Sequence, residues 1–567
     1  MINKVKLYFK IINDFFQLLE KDDKRSFVLF LILSIVNTVL ELFSLFLLVN
    51  LLFVIADIDQ TSSKFIELIT IAVNKNPILI STYLILITVI IKFVFQTIYS
   101  FNQEKFGYLL QQKVSKKVYL KILNVDYLDY LKFSSSKVTR ILNSDLIRIN
   151  NQLISPLIST LNELLLILSI ALVIFFYDPY LGVSILFFSF FVISLFTLSI
   201  NKKVKYYSKE GIKYSTFLFK HILESHKAWI ALNFYDVKNN FFEKFNVISS
   251  TYTKFGYRTI FLLRLPKNIF ELLVFFSLSI LILILYKMNR IDLIIQYVGI
   301  LSLATFKIIP SLNKLSVSLQ AVQYFSNPFY EILSLLLIKE PLNDIAKKLE
   351  NFQKIEFQDL NYSYDEKKEV LKNTNLIIRK NDFIGIKGES GSGKSTLIYV
   401  LSGILKPDFM KIKVDDKYFE PEVLKNLFSI VQQETSIIDQ TIYENIALDF
   451  NISSSTRNKI DNLLNKVNLI EDFKSKKDEN LGENGNKISG GQKQRIGIAR
   501  GLYFNKKILI LDESTSNLDE ENQTGIIELL KELSKEITII FISHNIDNLR
   551  YCNRIIEVIN GELNELK

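Results

Sequence analysis

The sequence predicts two unlike halves in one chain: a membrane all-α domain of six transmembrane helices, followed by an α/β domain built on a phosphate-binding loop. Three observations carry this. Of the 567 residues, 49% are apolar and 13% aromatic, and the charged residues nearly avoid 27–55, 77–101, 153–200 and 268–310. After about residue 350, short β-branched strands alternate with helices and Gly turns, as α/β domains require. One of those strands runs directly into GESGSGKST (388–396).

The length alone would suggest three or four soluble domains of roughly 150 residues, but a wholly soluble chain is excluded by the apolar runs, and a wholly membrane one by the last third. A single Cys552 excludes an intramolecular disulfide and a Cys-based zinc site. Three His, at 221, 226 and 544, leave little for a histidine metal centre. The net charge of +10 is placed beside the apolar runs, which favours a membrane surface over nucleic acid. Residues 1–26 carry six Lys and Arg with no small-residue cleavage site, unlike a signal peptide.

A helix needs roughly 20 apolar residues to cross the hydrocarbon core. Six runs meet this: 27–55, 78–101, 153–176, 180–200, 267–287 and 291–313. Asp178-Pro179 forces a tight hairpin between the third and fourth, and Lys287 to Asp292 separates the last two. The long segments 102–152 and 201–265 are helical in pattern and rich in Lys and Arg, whereas the opposite loops are short and poor in them. Both termini and both long loops are therefore expected in the cytoplasm. Residues 61–73 are expected to form an amphipathic helix at the outer surface. The expected boundaries are 1–325 for the membrane domain, 326–350 for a linker and 351–567 for the α/β domain.

Ionisable side chains within a span are costly. Asn37 and Glu41 share a face of the first span, Glu163 lies in the third, Glu271 in the fifth and Lys307 in the sixth. Either they pair with one another or snorkel, or they line a polar pathway. Gln296, Tyr297, Ser302, Thr305, Lys307 and Pro310 interrupt the sixth run and favour the pathway.

In the second half, strand FIGIK (383–387), the loop and the apolar helix LIYVLSGIL give the G-x-x-x-x-G-K-[ST] pattern in its required strand–loop–helix context. Gly388, Gly391 and Gly393 let the backbone of Glu389, Ser390 and Ser392 wrap closely, so that N–H groups face phosphates. Lys394 neutralises the β- and γ-oxygens, Ser395 reaches Mg²⁺, and Thr396 completes the motif. ATP with Mg²⁺ is the ligand this loop predicts. Downstream, ILILDE (508–513) ends a strand in two carboxylates. Asp512 is expected on Mg²⁺, and Glu513 on the attacking water.

Between these lies ISGGQKQR (488–495). With Lys394, Asp512-Glu513 and a later His after a strand, it resembles the ATPase domain of ABC transporters, Ile488 replacing the usual Leu of the signature. Six spans followed by one such domain resemble an exporter half-transporter. The resemblance implies further roles. Tyr364 in YSY (362–364) corresponds to the aromatic that stacks on adenine. Gln433 in IVQQ (430–433) corresponds to the glutamine that touches Mg²⁺, with Gln432 standing where Pro is usual. Ser489, Gly490, Gly491 and Gln492 form the signature loop that closes on nucleotide. Asp519 in SNLD (516–519) crosses between subunits, and His544 after TIIFIS contacts the γ-phosphate. In this family one chain's phosphate loop is closed by another's signature loop, which implies a homodimer with two competent sites. VDYLDYLKF (125–133) and ESHKAWIALNF (224–234) resemble coupling helices with Tyr130 and Trp229 as anchors, or are ordinary amphipathic turns.

The ATPase says little about cargo. LPKNIFELL (265–273), LATFKIIPSLNKL (303–315) and the helix at 61–73 resemble segments of bacterial lipid-linked oligosaccharide flippases. That resemblance implies a multi-pass protein of the bacterial inner membrane, with membrane lipid and a polyprenyl-pyrophosphate-linked glycan as partners. Lys267 and Lys307, both expected towards the cytoplasmic side, suit the pyrophosphate. A lipid, multidrug or peptide exporter is the alternative, and a membrane regulator with a vestigial ATPase is a further one.

Overall fold

The computed structural model describes residues 2–55, 77–177, 179–288, 291–338, 352–364, 369–513 and 519–567. The expected outer helix at 61–73 lies outside these. Contacts divide the chain into Met1–Val125 with Asp129–Glu340, and Asp126–Leu128 with Pro341–Lys567.

The first unit is helical throughout. Helices α1 (Ile2–Leu18), α2 (Lys21–Ile55) and α3 (Pro77–Leu123) lead to the short α4 (Tyr127–Leu131) and α5 (Ser135–Arg140). Then come α6 (Ser155–Tyr177), α7 (Pro179–Lys227), the short α8 (Trp229–Phe234), α9 (Lys238–Lys287) and α10 (Ile291–Leu336). Each of the six apolar runs falls within one of α2, α3, α6, α7, α9 and α10, the third together with the π-helical turn Asn150–Ile154 that leads into α6. Among the described residues, Lys21–Leu48, Ile78–Leu123, Asn150–Phe175 and Lys238–Lys287 contain helix long and apolar enough to cross a membrane, and Pro179–Ser194 is a shorter apolar stretch. Many large side chains of these helices, such as Ile90, Phe93, Leu272 and Phe276, point outward. That suits hydrocarbon as the surrounding solvent. The Lys-rich segments after the second and fourth runs continue α3 and α7 well beyond the apolar part, as their helical pattern requires.

Residues 326–336, expected to open the linker, are instead the end of α10, which continues through Pro328. Their apolar face explains the correction. Phe329, Ile332 and Leu335 are buried in one cluster with Ile11 and Phe15 of α1, Phe27 of α2 and Val114 and Val118 of α3. A second cluster joins Ile167 and Ile170 of α6, Val192 and Val204 of α7, Phe270 of α9, and Ala304, Ile308 and Leu312 of α10. Helix α10 thus supplies both cores.

One buried polar cluster interrupts the first. Arg140, 1% exposed, ends α5 and donates from its two terminal nitrogens to Asp145 and to Glu331 of α10. Burial outweighs the pull of Arg140 and pushes the Asp145 carboxyl up to about 6.

The second unit packs helices on a six-stranded sheet ordered β10-β9-β3-β8-β7-β6, with a four-stranded sheet ordered β2-β1-β4-β5. In chain order these are β1 (Lys354–Ser363), β2 (Glu369–Arg379), β3 (Phe383–Lys387), β4 (Phe409–Val414), β5 (Lys417–Phe419), β6 (Phe428–Val431), β7 (Ile508–Asp512), β8 (Thr538–Ile542), β9 (Arg554–Ile559) and β10 (Glu562–Glu565). The five strands β9, β3, β8, β7 and β6 pair in parallel. Their sequences are near-continuous apolar runs because both faces are covered. Ile384, Ile386, Ile508, Ile510, Ile540 and Ile542 enter one core. The alternating Phe383, Leu509, Leu511, Ile539 and Phe541 enter the other. Helix α11 (Lys394–Leu401) covers the first face, and the second is covered by α12 (Ile442–Ala447), α13 (Ser454–Lys466), α14 (Gly490–Tyr503) and α15 (Glu520–Leu533).

Truncating Arg140 leaves two carboxylates without their common cation. Arg140→Ala is expected to cost about 3–5 kcal/mol, the range for breaking a buried pair. It should appear as a lower unfolding temperature of detergent-solubilised protein. Arg25→Ala, at an exposed pair with Asp22, should leave that temperature unmoved.

Candidate functional site: a phosphate loop at the sheet edge and a charged cavity in the helical unit

Because β3, β8, β7 and β6 are parallel neighbours, the segments leaving their C-terminal ends share one edge. In open α/β sheets this is where ligands bind. The sequence places the phosphate loop after β3, His544 after β8, Asp512-Glu513 at the end of β7, and Gln433 after β6. The fold therefore brings together four of the motifs read from sequence.

The loop is shaped by glycine. A Cβ on Gly388 would stand 2.6 Å from the Val558 carbonyl oxygen and 2.7 Å from Ser392 Oγ. Gly393, the residue capping α11, has φ +106°, a conformation that side chains other than hydrogen resist. Gly391, at φ +82°, has open space around it. Lys394 is buried and its Nζ donates to the carbonyls of Gly388 and Glu389, both at 2.9 Å. Its charge is thereby held inside the loop. Ser395 is exposed, whereas Thr396 is buried and shares a hydrogen bond of 3.2 Å with the Tyr364 hydroxyl. Tyr364 is half exposed and packs edge-on against Tyr362 at 5.0 Å. An aromatic face is thus tied to the phosphate-loop helix.

At the end of β7, burial and the neighbouring Glu513 push the Asp512 carboxyl up from its ordinary value, against the pull of Lys394 and His544. His544 Nε2 stands 2.5 Å from Glu513 Oε1. Glu513 has φ +47°, a strained backbone for a non-glycine residue that costs on the order of 1–3 kcal/mol. Such strain persists only where the surroundings over-determine it.

The signature residues are built differently. Ser489 caps α14 in a capping box: its hydroxyl accepts from Gln492 N at 3.2 Å, and the Gln492 side-chain oxygen accepts from Ser489 N at 3.0 Å. Gln492 also donates to Asp472 at 3.1 Å. Gln492, expected on nucleotide, is thus engaged within its own loop. Ser489 and Gly490 are exposed at the N-terminus of the 14-residue α14, and such a terminus favours anions. A Cβ on Gly491 would meet Asn522 Oδ1 at 2.9 Å. Asn522 in turn donates to Asp519 at 2.6 Å and holds its carboxyl below the ordinary range. The rest of SNLD, residues 516–518, lies outside the described residues.

Sequence reasoning passed over Gln494 and Asn522. Gln494 is buried on α14; it donates to the Gln433 carbonyl at 2.6 Å, and Thr435 Oγ1 donates to its side-chain oxygen at 3.2 Å. It ties the signature helix to the segment carrying Gln433. Its place as the seventh residue of ISGGQKQR was the only clue, and nothing in that spacing names a partner.

In the helical unit, Lys307 lines a cavity of about 610 Å³ with Asn37, Glu41, Lys92, Glu163, Glu271 and Lys314 among its walls. Lys267 and Lys307, expected to suit a pyrophosphate, both stand beside carboxylates. Lys307 is bound to Glu41, which Lys92 also approaches to 2.9 Å. Lys267 is largely exposed and stands 3.9 Å from Glu271 of the cavity wall. Charges at membrane depth seek partners, so lysines near carboxylates do not stay free. Lys92 and Lys314 were missed, although a lysine inside an apolar run is itself the signal. Two exposed side chains of the long cytoplasmic-pattern segments, Tyr130 and Trp229, are not buried within the chain.

This combination of a long-helix domain and a phosphate-loop domain with signature helix defines an ATP-binding transport ATPase class. Residues 27–302 match the family described as ABC transporter transmembrane region, and residues 371–516 the family described as ABC transporter. The chain belongs to the ABC transporters, with a membrane domain fused to an ABC ATPase domain as in exporters. It is 31% identical over 295 residues to a probable ABC transporter ATP-binding/permease protein of Haemophilus influenzae, covering 50% of this chain and 51% of that one. It is 37% identical over 216 residues to the alpha-hemolysin translocation ATP-binding protein HlyB of Escherichia coli O157:H7, covering 37% and 31%. It is 31% identical over 267 residues to an ATP-dependent lipid A-core flippase of Francisella tularensis, covering 46% and 43%. The aligned part thus spans about half or less of these relatives. A solved structure of a bacterial Atm1-family ABC exporter with ATP bound shares the fold, with a TM-score of 0.77 at 18% identity, covering 96% and 94%.

Gln494→Leu removes both the donor to Gln433 and the acceptor for Thr435. Turnover of ATP is expected to fall several-fold, while binding of a fluorescent ATP analogue stays within about twofold of wild type. Unchanged turnover would show that Gln494 does not position the Gln433 segment.

Proposed function

We propose that two copies of this chain form an ATP-driven exporter in a bacterial inner membrane, with both termini cytoplasmic, that moves a lipid-linked oligosaccharide from the inner to the outer leaflet. The observation carrying the ATPase reading is the shared edge at which Lys394, Asp512, Glu513 and His544 meet, with Glu513 2.5 Å from His544.

ATP enters as substrate. The backbone N–H groups of residues 388–393 and the Lys394 ammonium hold its β- and γ-phosphates, and Tyr364 offers its ring to the base. Ser395, Asp512 and Gln433 are the residues that would hold Mg²⁺, which would offset the phosphate charge. Among the described residues no cluster of three or more His, Cys, Asp or Glu forms a metal cage. That donor set fits Mg²⁺, which takes one or two carboxylates and completes its shell with phosphates and water. Glu513 accepts a hydrogen bond from the attacking water and orients its lone pair towards the γ-phosphorus. The bond from phosphorus to the ADP oxygen breaks as the water oxygen attacks. His544 holds the Glu513 carboxylate in place and presents its ring to the γ-phosphate.

One chain contains one phosphate loop and one signature loop. Completion of each site by Ser489, Gly490 and Gly491 of a second copy, across a two-fold axis, follows the family arrangement and the exposure of Ser489. The cargo reading is supported by the charged cavity and by the flippase relatives, and extends them to a glycan on a polyprenyl carrier.

Glu513→Gln is expected to retain ATP binding and lose at least nine-tenths of steady-state hydrolysis, measured as phosphate release in proteoliposomes. Hydrolysis near the wild-type rate would assign the water to another group. In the same vesicles, wild-type protein should flip a polyprenyl-pyrophosphate oligosaccharide only with ATP. Hydrolysis without flipping would overturn the cargo.

A second experiment tests the shared site. Heterodimers of a Ser489→Arg chain with a Lys394→Ala chain keep one intact composite site and should retain more hydrolysis than either homodimer. Full activity in an isolated monomer would refute the shared site.

A further inference from the structure

Helix α14 leads into β7, and α15 leads from β7 to β8. Both therefore begin at the sheet edge that carries the catalytic residues. They rest on the same sheet face through Ile496, Ile498, Ile526 and Leu530. Where they meet, their side chains interlock reciprocally. A Cβ on Gly491 of α14 would stand 2.9 Å from Oδ1 and 3.1 Å from Cγ of Asn522 on α15. A Cβ on Gly525 of α15 would stand 3.3 Å from Nη2 of Arg495 on α14. Residues 491 and 495 share one face of α14, and 522 and 525 share one face of α15. Each helix thus offers bare backbone to a polar side chain of the other. Glycine weakens a helix relative to alanine, so its presence at both crossing points reflects the closeness of the contact.

Asn522 uses its other end as well. Its Nδ2 donates to Asp519 Oδ1 at 2.6 Å, a charge-assisted bond of the stronger kind. Asp519 is exposed and is the N-cap of α15. One amide therefore lies against the signature helix with its oxygen and holds the Asp519 carboxylate with its nitrogen. Arg495 anchors the crossing from α14 by donating to the Asn468 carbonyl at 3.1 Å. Ser489 is fixed to the same first turn of α14 by its capping box with Gln492.

The geometry points to Asn522 as a positioning residue of the ATPase, one that locks the signature turn Ser489–Gly491 and Asp519 into a single unit presented to the nucleotide of a second copy. It acts through these neighbours and not on the nucleotide. The inference rests on the shared-site reading above and adds the residue that aligns the two loops each chain contributes. Without the amide, the Asp519 carboxylate is released to water, and aligning the signature turn no longer aligns Asp519.

The test uses full-length protein in proteoliposomes. Asn522→Leu keeps bulk against Gly491 and removes the donor to Asp519. Its kcat for ATP should fall at least about fivefold, while KM, binding of a fluorescent ATP analogue and the unfolding temperature stay as in wild type. Thr524→Ala removes an outward hydrogen bond to the Glu520 carbonyl from the same turn and should change none of these. In an Asp519→Ala background, the effect of Asn522→Leu on kcat should shrink to less than about twofold, because the partner it acts through is gone.

Heterodimers locate the defect. A wild-type chain paired with an Asn522→Leu/Lys394→Ala chain has its phosphate loop closed by the altered turn and should show the loss. An Asn522→Leu chain paired with a Lys394→Ala chain has its phosphate loop closed by an unaltered turn and should escape it. The reference for both is wild type paired with Lys394→Ala; where that reference is silent, the kcat cycle in homodimers decides. Wild-type kcat in Asn522→Leu, an equal loss in the Asp519→Ala background, or a loss that follows a lowered unfolding temperature overturns the inference. So does a loss confined to the phosphate loop of the altered chain itself. Wild-type turnover by Ser489→Arg homodimers overturns the shared site, whereas a loss with Ser489→Arg and none with Asn522→Leu overturns the positioning role alone.

Discussion

The direction of five strands governs the catalytic half. A phosphate loop, a glutamine, a carboxylate pair and a histidine are spread over residues 388–544 of the sequence, and no local interaction could assemble them. Parallel pairing of β9, β3, β8, β7 and β6 does so by geometry alone, because every strand delivers its following segment to the same edge. Parallel pairing in turn demands apolar residues on both faces, which is why FIGIK, ILILD and TIIFI carry almost no polar side chain before their ends.

The membrane half obeys a different constraint. Charge is costly unpaired in a medium of low dielectric, so several ionisable side chains of the spans record contacts with another helix. Glu41 of α2 binds Lys92 of α3 and Lys307 of α10, and Lys314 of α10 reaches Glu163 of α6. The apolar clusters fill space around these pairs. They fix how closely helices pack, whereas the ion pairs fix which turn faces which.

How much of this was legible in the sequence depended on the range of the interaction involved. The phosphate loop, the two strand-end carboxylates and His544 were readable because each is a local pattern with one chemical use. The apolar runs were readable because membrane thickness imposes a length. The end of α10 was not: only the burial of Phe329, Ile332 and Leu335 against distant α1, α2 and α3 shows why the helix continues. Gln494 and Asn522 escaped because their partners lie on other elements, and a buried amide has no sequence signature. The partners of Lys267 and Lys307 were not visible in the sequence either. Charge and position were visible, but the carboxylates that claim them are 266 residues away for Lys307 and one helical turn away for Lys267.

Helix α10 binds these findings into one mechanical statement. It carries Lys307 and Lys314 at the charged cavity and Glu331 at the buried Arg140. By the rise of 1.5 Å per residue, the 24 residues from Lys307 to Glu331 span about 36 Å of one continuous helix. One helix therefore bears contacts of both the charged cavity and the buried Arg140 cluster, so its placement along its axis has to satisfy Glu41, Glu163 and Arg140 together.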